Sequence, residues 1–522
     1  MLPSLVPLFL FVLPVISASA EDWRSRSIYQ LVTDRFATTN GSSPPCDTSN
    51  RKYCGGTWQG VINKLPYIQN MGFDAIWISP IVANVEGFTA YGEAFHGYWT
   101  QNIDAINSHF GSEDDLKALS SALHQSNMYL MVDVVVNHMA ATTNPPDYST
   151  FQPFDMQSDF HSECFISNYS NQTNVEQCWL GDTNLPLADL DTEDDTIVNS
   201  MYSWIKTVVG NFTADGIRID TVKHIRKDFW PQFVQSAGVF TIGEVLDGDT
   251  NYVSPYTQVI DSVLDYPAWF PLTSGFQSTS GNLSALAETV QAAQRSYKDG
   301  QFATGSFLEN HDQPRFQSLT QDQALVKNAM TWPFVQDGIP ILYYGQEQGY
   351  TGGADPANRE ALWLSGYVED NKPLLTHVKT LNAVRKMAAA ANSSFLTTAA
   401  KFSSTTSTLA VSKPPLLTLL ANSGNSSTPT WTVSDTGFKP NEQLVEVLSC
   451  SLLSADKKGG VSVHGSGGMP QVIMPRSALN QSGSVCPSLA TSSGSQASSA
   501  ADLTLPLAAT LVLGILSAIF AA

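Results

Sequence analysis

The chain has 522 residues, of which 43% are hydrophobic and only 14% charged, with a formal net charge of −20. Typical domains carry about 25% charged residues. With no cluster of Lys or Arg, this composition argues against nucleic acid or anionic lipid as partners, and a neutral substrate suits the acidic balance better than an anionic one.

In chain order, residues 1–20 hold an apolar stretch too short to span a bilayer and close on Ala18-Ser-Ala20, which reads as a signal peptide cut before Glu21. A buried N-terminal helix is the alternative. Eight apolar runs follow that read as strands: Ser27–Ala37, Phe73–Pro80, Met128–Asn137, Ala214–Asp220, Val239–Val245, Ser262–Asp265, Gln301–Glu309 and Gly338–Tyr344. Helical patterns such as Ser112–Gln125, Asp194–Gly210 and Asn282–Tyr297 lie between them. Eight strands alternating with helices predict a closed parallel (β/α)8 TIM barrel over 21–395, with its active site at the carboxyl ends of the strands. The Asn/Ser/Asp-rich stretch 138–191 is too long for a simple loop and reads as a small domain inserted after the third strand. Over 396–488 the pattern changes to short Thr/Val/Leu runs with Gly/Ser/Asn turns, the mark of an antiparallel β-sandwich domain.

The far end has a Ser-rich spacer, 489–502, and then an uncharged apolar tail, 503–522. Small residues, spacer and terminal tail form a GPI-attachment pattern. Ser492 fits the attachment site best, with Ser493 and Gly494 nearly as good; a single transmembrane anchor is the alternative, since twenty residues can span. The expected location is therefore extracellular, GPI-anchored to the plasma membrane or cell wall. Six cysteines fall as the pairs Cys46/Cys54, Cys164/Cys178 and Cys450/Cys486, implying disulfides made in an oxidising compartment. Sequons at Asn40, Asn168, Asn171, Asn211, Asn282, Asn392, Asn425 and Asn480 offer glycosylation sites.

Four segments end strand-like runs in charged groups: Asp133–His138, Gly216–His224, Gly243–Asp247 and Glu309–Asp312. Charges at a buried strand end must be solvated, paired or used. Two carboxylates flanking a bond are the usual equipment for cleaving a glycosidic linkage. Asp220 lies two residues after Arg218, on the same face of a strand, where the guanidinium would keep it ionised as a nucleophile. Glu244, closing an apolar strand, is placed for a raised pKa and an acid/base role. Asp312, beside His311, could stabilise positive charge on a sugar ring. A lone Asp at a strand end is more often a cap or loop residue; four such segments in order point to one enzyme site.

These segments, DVVVNH, GIRIDTVKH, GEVLD and FLENHD, resemble the four signature regions of the α-amylase family, glycoside hydrolase family 13. LPLADLD (185–191) resembles its fifth region, with Ala188 where Pro is usual. Similarity runs on through HGYW (96–99), CWLGD (178–182), KDFWPQF (227–233), YYGQEQ (343–348) and DPANREALWLSGY (355–367), over about residues 22–486, and looks nearest to the secreted fungal α-amylases. The resemblance implies Asp220 as nucleophile, Glu244 as acid/base and Asp312 as transition-state stabiliser. It places Arg218, His138, His311, Asp355 and Arg359 around the sugar before the cleaved bond, Tyr98 stacked on that ring and Trp99 at the next one. Lys223, His224 and Asp247 fall on the leaving-group side. It also implies a Ca2+ held by Asn137, Glu176, Asp189 and the backbone carbonyl of His224.

The sequence departs from those relatives in three places: Ser254, with no Cys between 179 and 449, omits a disulfide they commonly have, and Gln313 and Gly349 replace a usual Asn and His. The expected activity is endo-acting, retaining hydrolysis of α-1,4-glucan by a monomer. The alternatives are 4-α-glucanotransfer on cell-wall α-glucan, known in a GPI-anchored amylase-like group, and an inactive glucan-binding wall protein.

Overall fold

The structure is a computed structural model and describes residues 18–479 and 485–489. The signal sequence up to residue 17, Asn480, Ser492 and the apolar tail lie outside the described residues. Among the described residues, no helix is long and apolar enough to cross a membrane.

Eight parallel strands build the first domain: β1 (Ile28–Gln30), β2 (Ala75–Ile78), β3 (Tyr129–Val134), β4 (Gly216–Ile219), β5 (Phe240–Gly243), β6 (Ser262–Val263), β7 (Gly305–Ser306) and β8 (Ile339–Tyr343). They pair in the order β6-β5-β4-β3-β2-β1-β8-β7. A parallel bridge between Leu264 and Gly305, with Asp265 N–H donating to Gly305 O at 2.9 Å, joins the two ends and closes the barrel. Gly305 has no room for a side chain there: a Cβ would meet Ile242 Cδ1 at 2.6 Å and Ile341 Cδ1 at 2.7 Å.

Each expected strand run contains one of these strands, but most observed strands are shorter. After β1, for example, the chain turns into a short helix, Thr33–Phe36, because Asp34 and Arg35 must find partners. Asp34 accepts the backbone N–H groups of Cys54 and Gly55, and Arg35 donates to Lys52 O at 2.7 Å. Helix starts match the caps in the sequence: Ser112, Asp194 and Asn282 cap Glu113–Gln125, Asp195–Phe212 and Leu283–Ser296.

Period-two alternation sorts the strand residues onto two faces. Tyr29, Ile76, Val132 and Ile217 face outward into the layer covered by helices, whereas Ile28, Ala75, Met131, Ile242 and Ile341 fill the interior. Trp23, from the helix Ala20–Arg24, packs with that interior cluster and donates its indole N–H to Asp215 O just before β4. Continuing the inward register toward the carboxyl ends brings up Gln30, Trp77, Asp133 and Arg218. The interior thus passes from aliphatic at the base to polar at the rim.

The inserted segment carries a three-stranded sheet, Leu180–Asp182 and His138–Ala140 flanking Leu185–Asp189, with His138 opposite Asp189. The second domain has a six-stranded antiparallel sheet, beginning at Lys401–Ser404 and including Gln471–Pro475, covered by the antiparallel pair Thr430–Val433 and Val461–His464. Trp431, Val461, Leu417, Leu419 and Ile473 form the core between these layers. Lys413 of this domain ion-pairs with Asp337 of the barrel at 2.5 Å, with both side chains 1% exposed. All three expected disulfides are formed: Cys46–Cys54, Cys164–Cys178 and Cys450–Cys486.

Candidate active site

Arg218 is the centre of the rim. Its Nη1 donates to Asp133 Oδ1 at 3.0 Å and Asp220 Oδ1 at 2.9 Å, and its Nη2 lies 2.8 Å from Glu244 Oε2. Three strands, β3, β4 and β5, thus deliver three carboxylates to one guanidinium that is itself 1% exposed. A buried charge cluster of this kind is stable only when every member is paired.

Burial pushes Asp220 up to about 6 and Glu244 up to about 7, in each case against the pull of Arg218. The sequence argument expected Arg218 to hold Asp220 in the ordinary carboxylate range; desolvation outweighs that pull. What survives is the order of the two groups. Glu244 thus holds a proton more readily than Asp220, which suits an acid there and a carboxylate at Asp220. Asp312 behaves differently: burial pushes it up, but His311, Arg359 and Arg218 outweigh this and hold it below the usual range.

Two neutral histidines flank these acids. Burial drives His138 down to about 4 and His311 to about 3. The Gln30 amide nitrogen sits 2.8 Å from His311 Nδ1, so the neutral ring carries its proton on Nε2, which faces Asp312 Oδ2 at 3.2 Å. Tyr98 stacks on His311 at 5.0 Å and 4°, and its hydroxyl donates to Asp133 at 2.6 Å. His138 Nε2 lies 3.2 Å from Tyr98 O, while its Nδ1 is buried without a protein partner. Trp99 meets His96 edge-on at 4.5 Å, and both Tyr98 and Trp99 remain half-exposed, so neither ring is simply core packing.

Arg359 links Asp312, at 3.5 Å, to Asp355, at 3.0 Å, and Arg51 reaches Asp355 from the first loop at 3.4 Å. On the opposite side, Lys223 Nζ donates to Leu246 O at 2.7 Å, and His224 Nδ1 lies 3.2 Å from Val175 O. Between them Tyr169, Thr221, Lys223, His224, Glu244 and Leu246 line a cavity of about 360 Å³. Asp247 is half-exposed and accepts the N–H of Asp249 at 2.8 Å. The predicted site residues are therefore linked by ion pairs and ring contacts from Asp355 through Arg359, Asp312 and Arg218 to Glu244, where the cavity at Lys223 begins.

Asn137 and Asp189 are almost fully buried, and Asn137 Oδ1, Asn137 Nδ2 and Asp189 Oδ1 have no protein partner. Buried oxygens left unpaired are costly, and they suit a hard cation. Glu176 lies on the short helix Gln172–Gln177, which is tied to the stretch before His224 through Gln172 Nε2, a donor to Lys223 O at 3.1 Å. The unpaired oxygens of Asn137 and Asp189 fit a hard cation beside the inserted segment, while Glu176 Oε1 accepts from Gln172 Nε2 at 2.7 Å. A second cluster, His161, Asp191 and Glu193, is satisfied by the ring itself, whose Nε2 contacts Asp191 at 3.4 Å and Glu193 at 2.5 Å. Burial pulls His161 down, but Asp189 and Glu193 raise it to about 9, so an imidazolium already supplies the positive charge.

Sequence reasoning assigned no role to Asp133, Gln30 or Trp77. Asp133 opens a quoted segment, and its side chain shares the inward face with Arg218; Gln30 and Trp77 are lone polar and aromatic residues in apolar strands, signals too common to single out. Of the sequons, Asn40, Asn168, Asn171, Asn211, Asn282 and Asn425 are exposed. Asn392 is half-buried, with its Nδ2 donating to Pro414 O at 2.9 Å. Ser254 donates to Ser296 O at 2.7 Å, a hydrogen bond in the stretch where the relatives' disulfide is missing.

An Arg-centred carboxylate trio at the carboxyl end of a closed (β/α)8 barrel, beside a small inserted domain, defines a class of glycoside-cleaving barrels. The family model described as alpha amylase, catalytic domain, matches residues 30–365, and that for alpha-amylase domain C matches 401–494. The chain belongs to the α-amylase family. It is 45% identical over 476 residues to Alpha-amylase 1 of Schwanniomyces occidentalis, covering 90% of this chain and 93% of that one. It is 47% identical over 478 residues to Alpha-amylase 1 of Lipomyces kononenkoae, covering 90% and 76%. Among solved structures, an α-amylase from Malbranchea cinnamomea superposes with a TM-score of 0.87 at 44% identity, covering 90% of this chain and 100% of that one.

Proposed function

We propose that the protein is a retaining, endo-acting α-1,4-glucan hydrolase, with Asp220 as nucleophile, Glu244 as acid/base and Asp312 as stabiliser of the charged sugar. The observation that carries this is Arg218 holding Asp220 on one nitrogen and Glu244 on the other. Two carboxyl groups bracketing a single guanidinium fit the close spacing of a retaining pair better than the ~6.5–9.5 Å that an inverting pair leaves for water. Protonated Glu244 gives its proton to the glycosidic oxygen while Asp220 attacks the anomeric carbon. Glu244, now a carboxylate, then takes a proton from the water that releases the sugar from Asp220.

His311, kept neutral by burial, donates from Nε2 toward a sugar hydroxyl, and His138, whose Nε2–H goes to Tyr98 O, offers Nδ1 as an acceptor. Tyr98 stacks on the ring, and His311, Arg359 and Arg218 keep Asp312 ionised. Exposed Asp355 on one side of the carboxylates and the cavity at Lys223 on the other support internal cleavage of a long chain. A calcium ion on Asn137, Glu176, Asp189 and the His224 carbonyl would fix the inserted segment, and with it His138, beside the barrel. Three disulfides support passage through an oxidising compartment, and extracellular anchoring through GPI at Ser492 stays part of this reading. Incubation with maltopentaose tests the activity: shorter sugars released initially as α-anomers are expected. Unchanged sugar would overturn hydrolysis, and β-anomers would overturn retention.

A further inference from the structure

Against Gly248, two residues past Leu246 of the cavity wall, lies an exposed aromatic ring, Phe270. It stands on the helix Tyr266–Phe276, five residues after its cap Asp265 and in the half of the helix nearer the carboxyl ends of the strands. The residue before it, Trp269, is buried and donates its indole N–H to Leu308 O at 2.9 Å, which ties this turn of the helix to the segment following β7. Phe270 packs edge-on against Trp269, at 4.9 Å and 72°, and stays 41% exposed.

Its neighbour on the cleft side is Gly248, next in sequence to Asp247. A Cβ at Gly248 would lie 3.2 Å from the ring, and the backbone there is not left-handed, so glycine provides space rather than conformational freedom. A side chain at this position would crowd the ring where the substrate cleft approaches it.

We propose that Phe270 is a specificity-determining residue that stacks on a glucosyl unit of the leaving-group or acceptor chain, beyond the unit held near Lys223 and His224. This rests on the hydrolase reading above. The flat C–H face of a pyranose is apolar, and a rigid half-exposed phenyl ring buries it at small entropic cost. A glucan held there also competes with water for the glycosyl ester on Asp220. Its hydroxyl gives its proton to Glu244, its oxygen bonds to the anomeric carbon, and the bond to Asp220 breaks.

The test compares Phe270→Ala and Phe270→Tyr with the parent protein on maltoheptaose and on α-maltotriosyl fluoride, whose leaving group contains no sugar. For Phe270→Ala, the ratio of kcat/KM for maltoheptaose to that for the fluoride should fall about threefold to tenfold, chiefly through KM. Transfer from the fluoride to added maltotriose should fall by a similar factor, and Phe270→Tyr should restore both. An unchanged ratio with unchanged transfer would overturn the assignment. Failure of the parent protein to turn over either substrate would instead overturn the hydrolase reading on which it rests.

Discussion

Gln30 and His311, 281 residues apart, meet at 2.8 Å across the barrel rim, and the contact decides which nitrogen of His311 carries the proton. The ring is neutral because it is buried, and an amide donor at Nδ1 leaves Nε2–H directed at Asp312 and the sugar. Gln30→Leu removes that donor and frees the tautomer. The expected result is a roughly tenfold loss in kcat/KM on maltoheptaose, the scale of one buried hydrogen bond, with the thermal midpoint little changed. Wild-type kinetics would show that the contact does not position His311.

Substitution of the two central carboxylates separates their roles. Asp220→Asn should lose on the order of 10⁴-fold or more in kcat on every substrate, as removal of a nucleophile does. Glu244→Gln should lose as much on maltoheptaose but keep far more on α-maltotriosyl fluoride, because fluoride leaves without protonation. Equal losses on both substrates for Glu244→Gln would count against its role as the acid.

The pH profile follows from the same pair. Asp220 must be ionised, so activity should rise with pH through about 6; Glu244 must be protonated, so activity should fall as pH passes about 7. The two limbs give a narrow bell in kcat/KM with its maximum between these values, and the apparent constants belong to the pair rather than to either residue. A flat profile from pH 5 to 8 would contradict the ordering of the two groups.

Calcium should act on stability through the inserted segment. Chelation with EDTA should lower the thermal midpoint, and added Ca2+ should restore it. In Asn137→Leu the shift should vanish, because one of the unpaired oxygens is gone. A midpoint indifferent to EDTA in the parent protein would rule out the assigned donors.

The two domains are clamped by Lys413 and Asp337. Lys413→Met leaves Asp337 buried beside Gln294 and the Ala400 N–H but without its cation. Loss of one partner from a fully buried pair costs about 3–5 kcal/mol, measurable as a drop in the denaturant midpoint; the double variant with Asp337→Leu should recover part of it. A single-variant loss below about 1 kcal/mol would mean that water reaches this pair.

Much of this protein can be read from its sequence because two local rules suffice. Alternating apolar runs and helix caps at Ser112, Asp194 and Asn282 delineate the barrel elements, and motif residues at strand ends mark Asp220, Glu244 and Asp312. Spacing also marks the three cysteine pairs. Tertiary structure decided the rest, because it depends on groups distant in the chain. Only the parallel pairing of β1 with β8 and of β8 with β7 brings Gln30 to His311. Only burial, unreadable from neighbours in sequence, lifts Asp220 and Glu244 while His311, Arg359 and Arg218 hold Asp312 down. And only the packing of Trp269 and the space at Gly248 show that Phe270 stands open beside the cleft. The sequence thus determined which groups do the chemistry; the fold decided their protonation, tautomer and surroundings, since those depend on desolvation and on contacts between separate strands.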